Sequence, residues 1–227
     1  MELVNNNYHS RQLGLAHPAR LQMPIAMVGA GAVGSWTALA LARLGCGNLT
    51  VMDFDTVEEH NVGPQIYMPQ DIGRKKVDAL KDRLAFLTPE KITTVDGTYE
   101  GGQLNGDILI AALDTMAGRK AMFEEHRGMN KWLIDSRMGG NEIHIYTVKL
   151  DNVGDVAAYE ETLFSDEDAL PIPCTERSVV YNVFVISGMI ASYVAKISRN
   201  INPPRENIID LANYMMFAAM DIEEAAA

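Results

Sequence analysis

Pro24-Ile25-Ala26-Met27-Val28-Gly29-Ala30-Gly31-Ala32-Val33-Gly34 is the stretch that decides the fold. The apolar run ending at Val28 has the length of a buried strand, and the glycines after it break the chain into a tight turn. From Ser35, the residues Trp36, Leu39, Ala40, Ala42, Arg43 and Leu44 read as a helix rich in Ala and Leu, which Gly45 and Gly47 stop. Leu49-Thr50-Val51-Met52-Asp53 reads as a second strand, closing a βαβ unit with Asp53 nineteen residues beyond Gly34. That spacing is the dinucleotide fingerprint. Gly29 permits the turn, Gly31 lets a phosphate approach the backbone, and Gly34 allows helix to pack on strand. The helix start supplies N–H groups and positive dipole, while Asp53 is expected to accept hydrogen bonds from ribose hydroxyls.

Working outward, Gly73 to Leu87 is amphipathic, with Val77, Leu80, Leu84 and Leu87 at helical spacing and Thr88-Pro89 as its stop. Lys91 to Val95 predicts a weak strand. Asp107-Ile108-Leu109-Ile110-Ala111-Ala112-Leu113 is apolar on both faces, as a central parallel strand should be, and delivers Asp114 at its carboxyl end. Gly118 to His126 reads as helix, Lys131 to Asp135 as a buried strand, and Glu142 to Leu150 as a half-exposed strand. Asp151 to Pro173 is acidic and reads as an irregular surface loop leading into an apolar helix from about Ser178 to Ser198. Beyond Ile201, a Pro203-Pro204 break precedes an expected final helix. The order predicts an α/β, Rossmann-like, mainly parallel sheet with helices on both faces and an antiparallel extension in the C-terminal half.

Composition narrows the function. The chain has 227 residues, of which 48% are hydrophobic and 22% charged, enough for the core of one domain and unlike a disordered chain. A formal charge of −11 has the wrong sign for nucleic-acid binding. Cys46 and Cys174 are too few for a disulfide framework and form no C-x-x-C pair for zinc, which points to a reducing, cytoplasmic setting. Cys46 reads as a packing residue. Met1 to Arg20 lacks the pattern of a secretory signal. Val179 to Ala195 approaches the length of a membrane span, but Ser187, Gly188, Ala191, Ser192 and Ala195 give it a small-residue face suited to close packing, so no membrane is expected. The histidines at 9, 17, 60, 126 and 144 share no metal-ligand spacing and read as surface or polar filler. Met215, Met216 and Met220 read as soft core or a partner contact.

The glycine turn does not choose the nucleotide, and NAD is its default ligand. The residues around it argue for a ligand richer in phosphate. Asp53-Phe54-Asp55, Asn61 with Gln65, Gly73-Arg74-Lys75-Lys76-Val77, Asp114 and Arg119 gather charge near the strand ends, including a carboxylate able to hold Mg²⁺. On the glycine turn Gly29 to Gly34, the run Gly47-Asn48 to Asp55, Asn61, Lys76-Val77, Asp114 and Arg119, with Tyr8, Arg11-Gln12 and Arg137-Met138 before Gly140, the sequence resembles the ThiF/MoeB/HesA adenylyltransferases, relatives of ubiquitin-activating enzymes, from Tyr8 to Arg199.

The resemblance implies an ATP- and Mg²⁺-dependent enzyme that adenylates the C-terminal glycine of a ubiquitin-like or sulfur-carrier protein and releases pyrophosphate. It implies that Asp53 binds ribose, Asp55 lies in the nucleotide site, Lys76 contacts phosphate, Asp114 holds Mg²⁺ and Asn61 lies near the phosphates. It further implies a homodimer in which Arg11 reaches into the other subunit's site, and an acyl-accepting role for Cys174, which Arg177 and a helix start would activate. The chain is then one adenylation domain over 1–227, with an N-terminal arm (1–22), a mobile crossover loop (151–177) and a C-terminal tail (201–227). Three positions depart from the family's pattern. Gly63-Pro64 stands where an arginine is common, Thr115 follows Asp114 where asparagine is usual, and the zinc-binding cysteine pairs of several relatives are absent. The alternatives are an NAD-dependent oxidoreductase, a relative that adenylates a small peptide or a tRNA base, and a nucleotide-binding partner that has lost catalysis.

Overall fold

The computed structural model describes residues 8–168 and 179–219. Among them, eight strands form one sheet in the order β3-β2-β1-β4-β5-β6-β7-β8. In chain order the strands are β1 (Ile25–Val28), β2 (Leu49–Asp53), β3 (Thr93–Asp96), β4 (Ile108–Ala111), β5 (Trp132–Gly139), β6 (Glu142–Lys149), β7 (Glu206–Asp210) and β8 (Met215–Ala219). The helices are α1 (Ala32–Leu44), α2 (Lys76–Leu87), α3 (Met116–His126), α4 (Val153–Glu160) and α5 (Val180–Ile197). Strands β3, β2, β1, β4 and β5 are parallel, and β6, β7 and β8 continue the sheet antiparallel.

Alternation along the central strands sends side chains to two cores. Ile25, Met27, Leu49, Val51, Ile108, Ile110 and Ile134 face the side covered by α1, α2 and α5. Ala26, Val28, Met52, Leu109, Ala111 and Leu133 face α3 and α4 through Met122, Phe123, Val156 and Tyr159. Burial on both faces explains why β1 and β4 are unbroken apolar runs. The chain leaves β1 toward one face and β4 toward the other, so a crevice opens between the carboxyl ends of these adjacent strands, the position at which open α/β sheets bind ligands.

Several expectations need correction. The stretch read as an irregular acidic loop contains α4: Asn152 caps it by accepting from Asp155 N–H at 3.0 Å, and Val156 and Tyr159, three residues apart, bury one face. The C-terminal helix expected beyond Ile201 is instead, through Ala219, the β7–β8 hairpin, with register Ile208↔Phe217. Met215 and Met216 sit exposed on its edge strand rather than in the core, and Met220 lies outside the described residues. Strand β6 is mostly buried rather than half-exposed, because α4 covers its second face. Of the histidines read as surface or polar filler, His9 and His126 are buried beside polar partners: His9 Nε2 lies 3.4 Å from Glu90 Oε1 and His126 Nδ1 lies 3.0 Å from Met122 O. Helix α5 has the length and composition of a membrane span, but half of it is buried and it packs along α1, where Thr37 Oγ1 meets Ser187 Oγ at 3.3 Å.

Candidate nucleotide-binding site

The three glycines of the turn divide their work as their positions require. Gly29 has φ +103°, and a Cβ there would run into the Ala112 carbonyl where β1 and β4 splay apart. A Cβ on Gly34 would run into the Gly29 carbonyl, so this glycine sets the closeness of helix to strand. Gly31 is different: nothing lies within 4 Å of where its Cβ would stand, so no protein contact accounts for its missing side chain. It is the N-cap of α1, and no side chain caps that helix. Open space remains beside amides that no side chain caps, which suits a phosphate.

Asp53 closes one side. Its Oδ2 accepts from Ala30 N–H at 2.6 Å and its Oδ1 from Asp55 N–H at 2.8 Å, so the residue expected to bind ribose also fixes the glycine turn. Each oxygen keeps a lone pair for a hydroxyl donor. Below the turn, Tyr67 OH donates to Ala30 O at 2.7 Å. Burial, reinforced by the Asp53, Asp71 and Asp55 carboxylates, pushes the Tyr67 phenol well above its usual range and keeps it a neutral donor. Sequence reading missed Tyr67; the only local signal was an aromatic residue in a polar loop.

The basic residues do not stand free as their number suggests. Lys76 is buried at the start of α2, with Nζ 2.7 Å from Asp55 Oδ2 and its own N–H donating to Asp55 O at 2.9 Å. Lys75 pairs with Asp96 at 3.0 Å and Arg74 with Asp71 at 3.2 Å and Asp82 at 2.5 Å. Arg119 turns inward, ion-paired to Asp135 and donating to the carbonyls of Ser136 and Leu113. Burial, with the Arg137 guanidinium beside it, pulls Arg119 down to about 10. Asn61 is committed too: its Oδ1 accepts from Glu58 N–H at 2.9 Å, capping the turn before Val62. Pro64, at the position of the missing arginine, contributes a carbonyl to Trp36 Nε1 at 3.0 Å.

Asp114 lies exposed just past β4 and makes no hydrogen bond or ion pair among the described residues. Thr115 explains its own departure from the family's pattern by capping α3, its hydroxyl accepting from Gly118 N–H at 3.3 Å. No group of three metal-ligating side chains occurs among the described residues. One free carboxylate beside a phosphate cradle nonetheless fits Mg²⁺, which binds through one or two carboxylates plus substrate phosphates.

Two predicted residues do not join this cluster. Arg11 is exposed on an arm fixed by buried His9 against Glu90 and by Gln12 Nε2 donating to Leu44 O at 2.5 Å, at the C-terminal end of α1. The glycine turn is at the other end of that helix, about 20 Å away for thirteen residues. Cys174 lies outside the described residues. Cys46 is buried as expected, and burial, then Glu90, pushes its thiol up to about 12.

A doubly wound sheet with a glycine turn at its switch point and an acid closing β2 defines a protein of the dinucleotide-fold class. The chain belongs to the ThiF family, whose profile matches residues 13–226. It is similar to "Ubiquitin-like modifier-activating enzyme 5" of Bombyx mori, 32% identical over 145 residues (53% of this chain, 37% of that one). The Drosophila simulans protein of the same name is 29% identical over 185 residues (70% and 45%). The chain thus spans less than half the length of these curated relatives. Among solved structures, E. coli MccB with ATP superposes at TM-score 0.76 and 16% identity (96% of this chain, 74% of that one), and PaaA at 0.75 and 19% (97% and 74%). These likenesses show the fold.

Proposed function

We propose that the chain is an ATP-dependent adenylyltransferase that activates the C-terminal carboxylate of a ubiquitin-like or sulfur-carrier protein. The reaction joins that carboxylate to the α-phosphate of ATP, forming an acyl-adenylate and releasing pyrophosphate. The observation that carries the reading is the open space at Gly31 beside the uncapped start of α1, with Asp53 bonded to the turn and Asp114 just past the end of the neighbouring β4. Family membership and the names of the relatives, which activate ubiquitin-like modifiers, support it.

Asp53 holds ribose hydroxyls through its remaining lone pairs, and the α1 amides receive phosphate. Lys76 exchanges part of its ion pair with Asp55 for a phosphate oxygen. Asp114 holds Mg²⁺, which when bound neutralises phosphate charge and favours departure of pyrophosphate. The site's own cations argue for outside help, because each is already engaged: Lys76 with Asp55, Lys75 with Asp96, Arg74 with Asp82 and Arg119 with Asp135. A homodimer meets that need if Arg11, remote from its own site, enters the partner's. Cys174 then takes the acyl group as a thioester, its sulfur displacing AMP from the acyl-adenylate, and the protein works in the cytoplasm.

Mixing the protein with ATP, Mg²⁺ and candidate acceptors ending in Gly-Gly should release pyrophosphate and leave an acceptor heavier by one adenylyl group, AMP less a water, in intact-mass spectra. A second reading has one feature in its favour, Pro64 in place of the usual arginine: a catalytically impaired partner would bind ATP tightly and release no pyrophosphate with any acceptor.

A further inference from the structure

Ala30, in the middle of the glycine turn, is held from two sides. Its N–H donates to Asp53 Oδ2 at 2.6 Å, and its carbonyl accepts from Tyr67 OH at 2.7 Å. A trans peptide sets C=O and N–H antiparallel, and no cis bond occurs among the described residues. With Ala30 O turned inward to the buried phenol, Gly31 N–H is turned the opposite way. That amide has no acceptor among the described residues, and the place of a Cβ on the same residue is open space.

The same hydroxyl bears on where α1 begins. Gly31 O accepts the first bond of the helix, from Ser35 N–H at 3.0 Å. Ala30 O stands one step earlier on that ladder, where its partner would be Gly34 N–H, four residues on. No such bond forms among the described residues, and the carbonyl goes to Tyr67 instead. Without the hydroxyl, Ala30 O would be a buried acceptor lacking a partner, and Gly34 N–H is the donor nearest along the chain. A helix started one residue early would engage the Gly34 amide and re-aim the Gly31 amide, altering two donors of the turn at once.

Tyr67 reaches this point because its loop is fastened to the first turns of α1. Trp36 Nε1 donates to Pro64 O at 3.0 Å, and Ile66 N–H donates to Ser35 Oγ at 3.3 Å. We propose that Tyr67 is a positioning residue for the phosphates of the nucleotide: its hydroxyl fixes the Ala30–Gly31 peptide so that the Gly31 amide, with the Gly34 amide left out of the helix ladder, donates to them. This rests on the adenylation reading and deepens it by naming what orients the phosphate-binding amides. Tyr67 acts only through the Ala30 carbonyl. Trp36 supplies the contrast, since it fastens the same loop to the same helix without bonding to Ala30.

The test titrates the full chain and its Tyr67→Phe and Trp36→Phe variants calorimetrically, with ATP and Mg²⁺ and with adenosine. Tyr67→Phe keeps the buried ring and deletes only the hydroxyl. It should weaken ATP about tenfold, the size of one lost hydrogen bond to a charged group, and change adenosine less than about twofold. Trp36→Phe should bind both within about twofold of wild type. Unchanged ATP affinity in Tyr67→Phe overturns the proposal. Equal weakening of ATP and adenosine in that variant, or the same loss of ATP in Trp36→Phe, makes the hydroxyl a loop anchor and overturns it too. Should Tyr67→Phe misfold, the wild type decides by nuclear magnetic resonance with isotopically labelled glycine, Gly31 being assigned by its loss in Gly31→Ala. ATP with Mg²⁺ should move the Gly31 amide resonance and adenosine should leave it in place; a resonance that ATP does not move overturns the proposal. If the wild type binds no ATP, the nucleotide reading and this proposal fall together. If the split between ATP and adenosine appears but no acceptor supports pyrophosphate exchange, adenylation alone falls and the role of Tyr67 stands.

Discussion

Gly31→Ala separates the fold from the ligand. At φ −75° the backbone is not left-handed, and a new Cβ meets nothing within 4 Å, so stability should stay within about 1 kcal/mol of wild type. That methyl would occupy the space beside the α1 amides. If a phosphate fits there, the intrusion acts like overpacking a filled cavity, costing about 1–3 kcal/mol of binding, or about a 5- to 150-fold loss of ATP affinity. The neighbouring glycines supply the contrast. Alanine at Gly34 collides with the Gly29 carbonyl, and at Gly29 it meets the Ala112 carbonyl at a positive φ, so both should lower the unfolding midpoint before any ligand is added. Thermal unfolding without nucleotide, followed by calorimetric titration with ATP and Mg²⁺, reads both quantities. Gly31→Ala that binds ATP within twofold of wild type would refute the phosphate placement, and Gly31→Ala that melts like Gly34→Ala would make this glycine structural.

Asp71 should give the protein a pH-dependent margin. Burial alone would raise its pKa, but Met68 N–H, Arg83 and Arg74 outweigh that and hold it below the usual carboxylate range. A depressed folded pKa contributes stability above the unfolded value of about 3.9 and loses it as pH falls through the folded value. Asp71→Asn should therefore cost about 1–3 kcal/mol in urea unfolding at pH 7 and progressively less below pH 4; an equal cost at both pH values would remove the charge argument. Mixing Arg11→Ala with Asp114→Ala protein, each inactive alone, should restore about one quarter of wild-type activity, because half of randomly formed dimers carry one intact site. No recovery after subunit exchange would place Arg11 outside the partner's site. Cys46, its thiol pushed up to about 12 and fully buried, should resist iodoacetamide at pH 8 until the protein unfolds. In a Cys174→Ser background, labelling of the native protein would contradict that burial.

What could be read from the sequence was what local patterning controls. The βαβ unit and β4 are set by apolar runs and glycines, and β2 falls where predicted, at Leu49–Asp53. Helix α4 escaped because it has only eight residues, and Asp155 and Glu160 gave it the look of a loop; its signal was Asn152 as a cap with Val156 and Tyr159 three apart. The β7–β8 hairpin escaped for a different reason. Met215-Met216-Phe217-Ala218-Ala219 combines strong helix formers, and only pairing with β7, itself held by β6, makes it a strand. In the site, residue types were legible but their partners were not. Asp53 reaches the glycine turn through Ala30 N–H and Lys76 reaches Asp55, whereas Arg119 finds Asp135 and Asn61 finds Glu58 N–H through contacts that spacing does not reveal.

The central claim is that this site joins adenylate to a carboxylate. Exchange of labelled pyrophosphate into ATP, run with Mg²⁺ and acceptors ending in Gly-Gly, tests it most directly, with Asp114→Ala as the paired control. The account predicts acceptor-dependent exchange that the variant loses while keeping its fold; exchange that persists in Asp114→Ala, or none with any acceptor despite tight ATP binding, would contradict it.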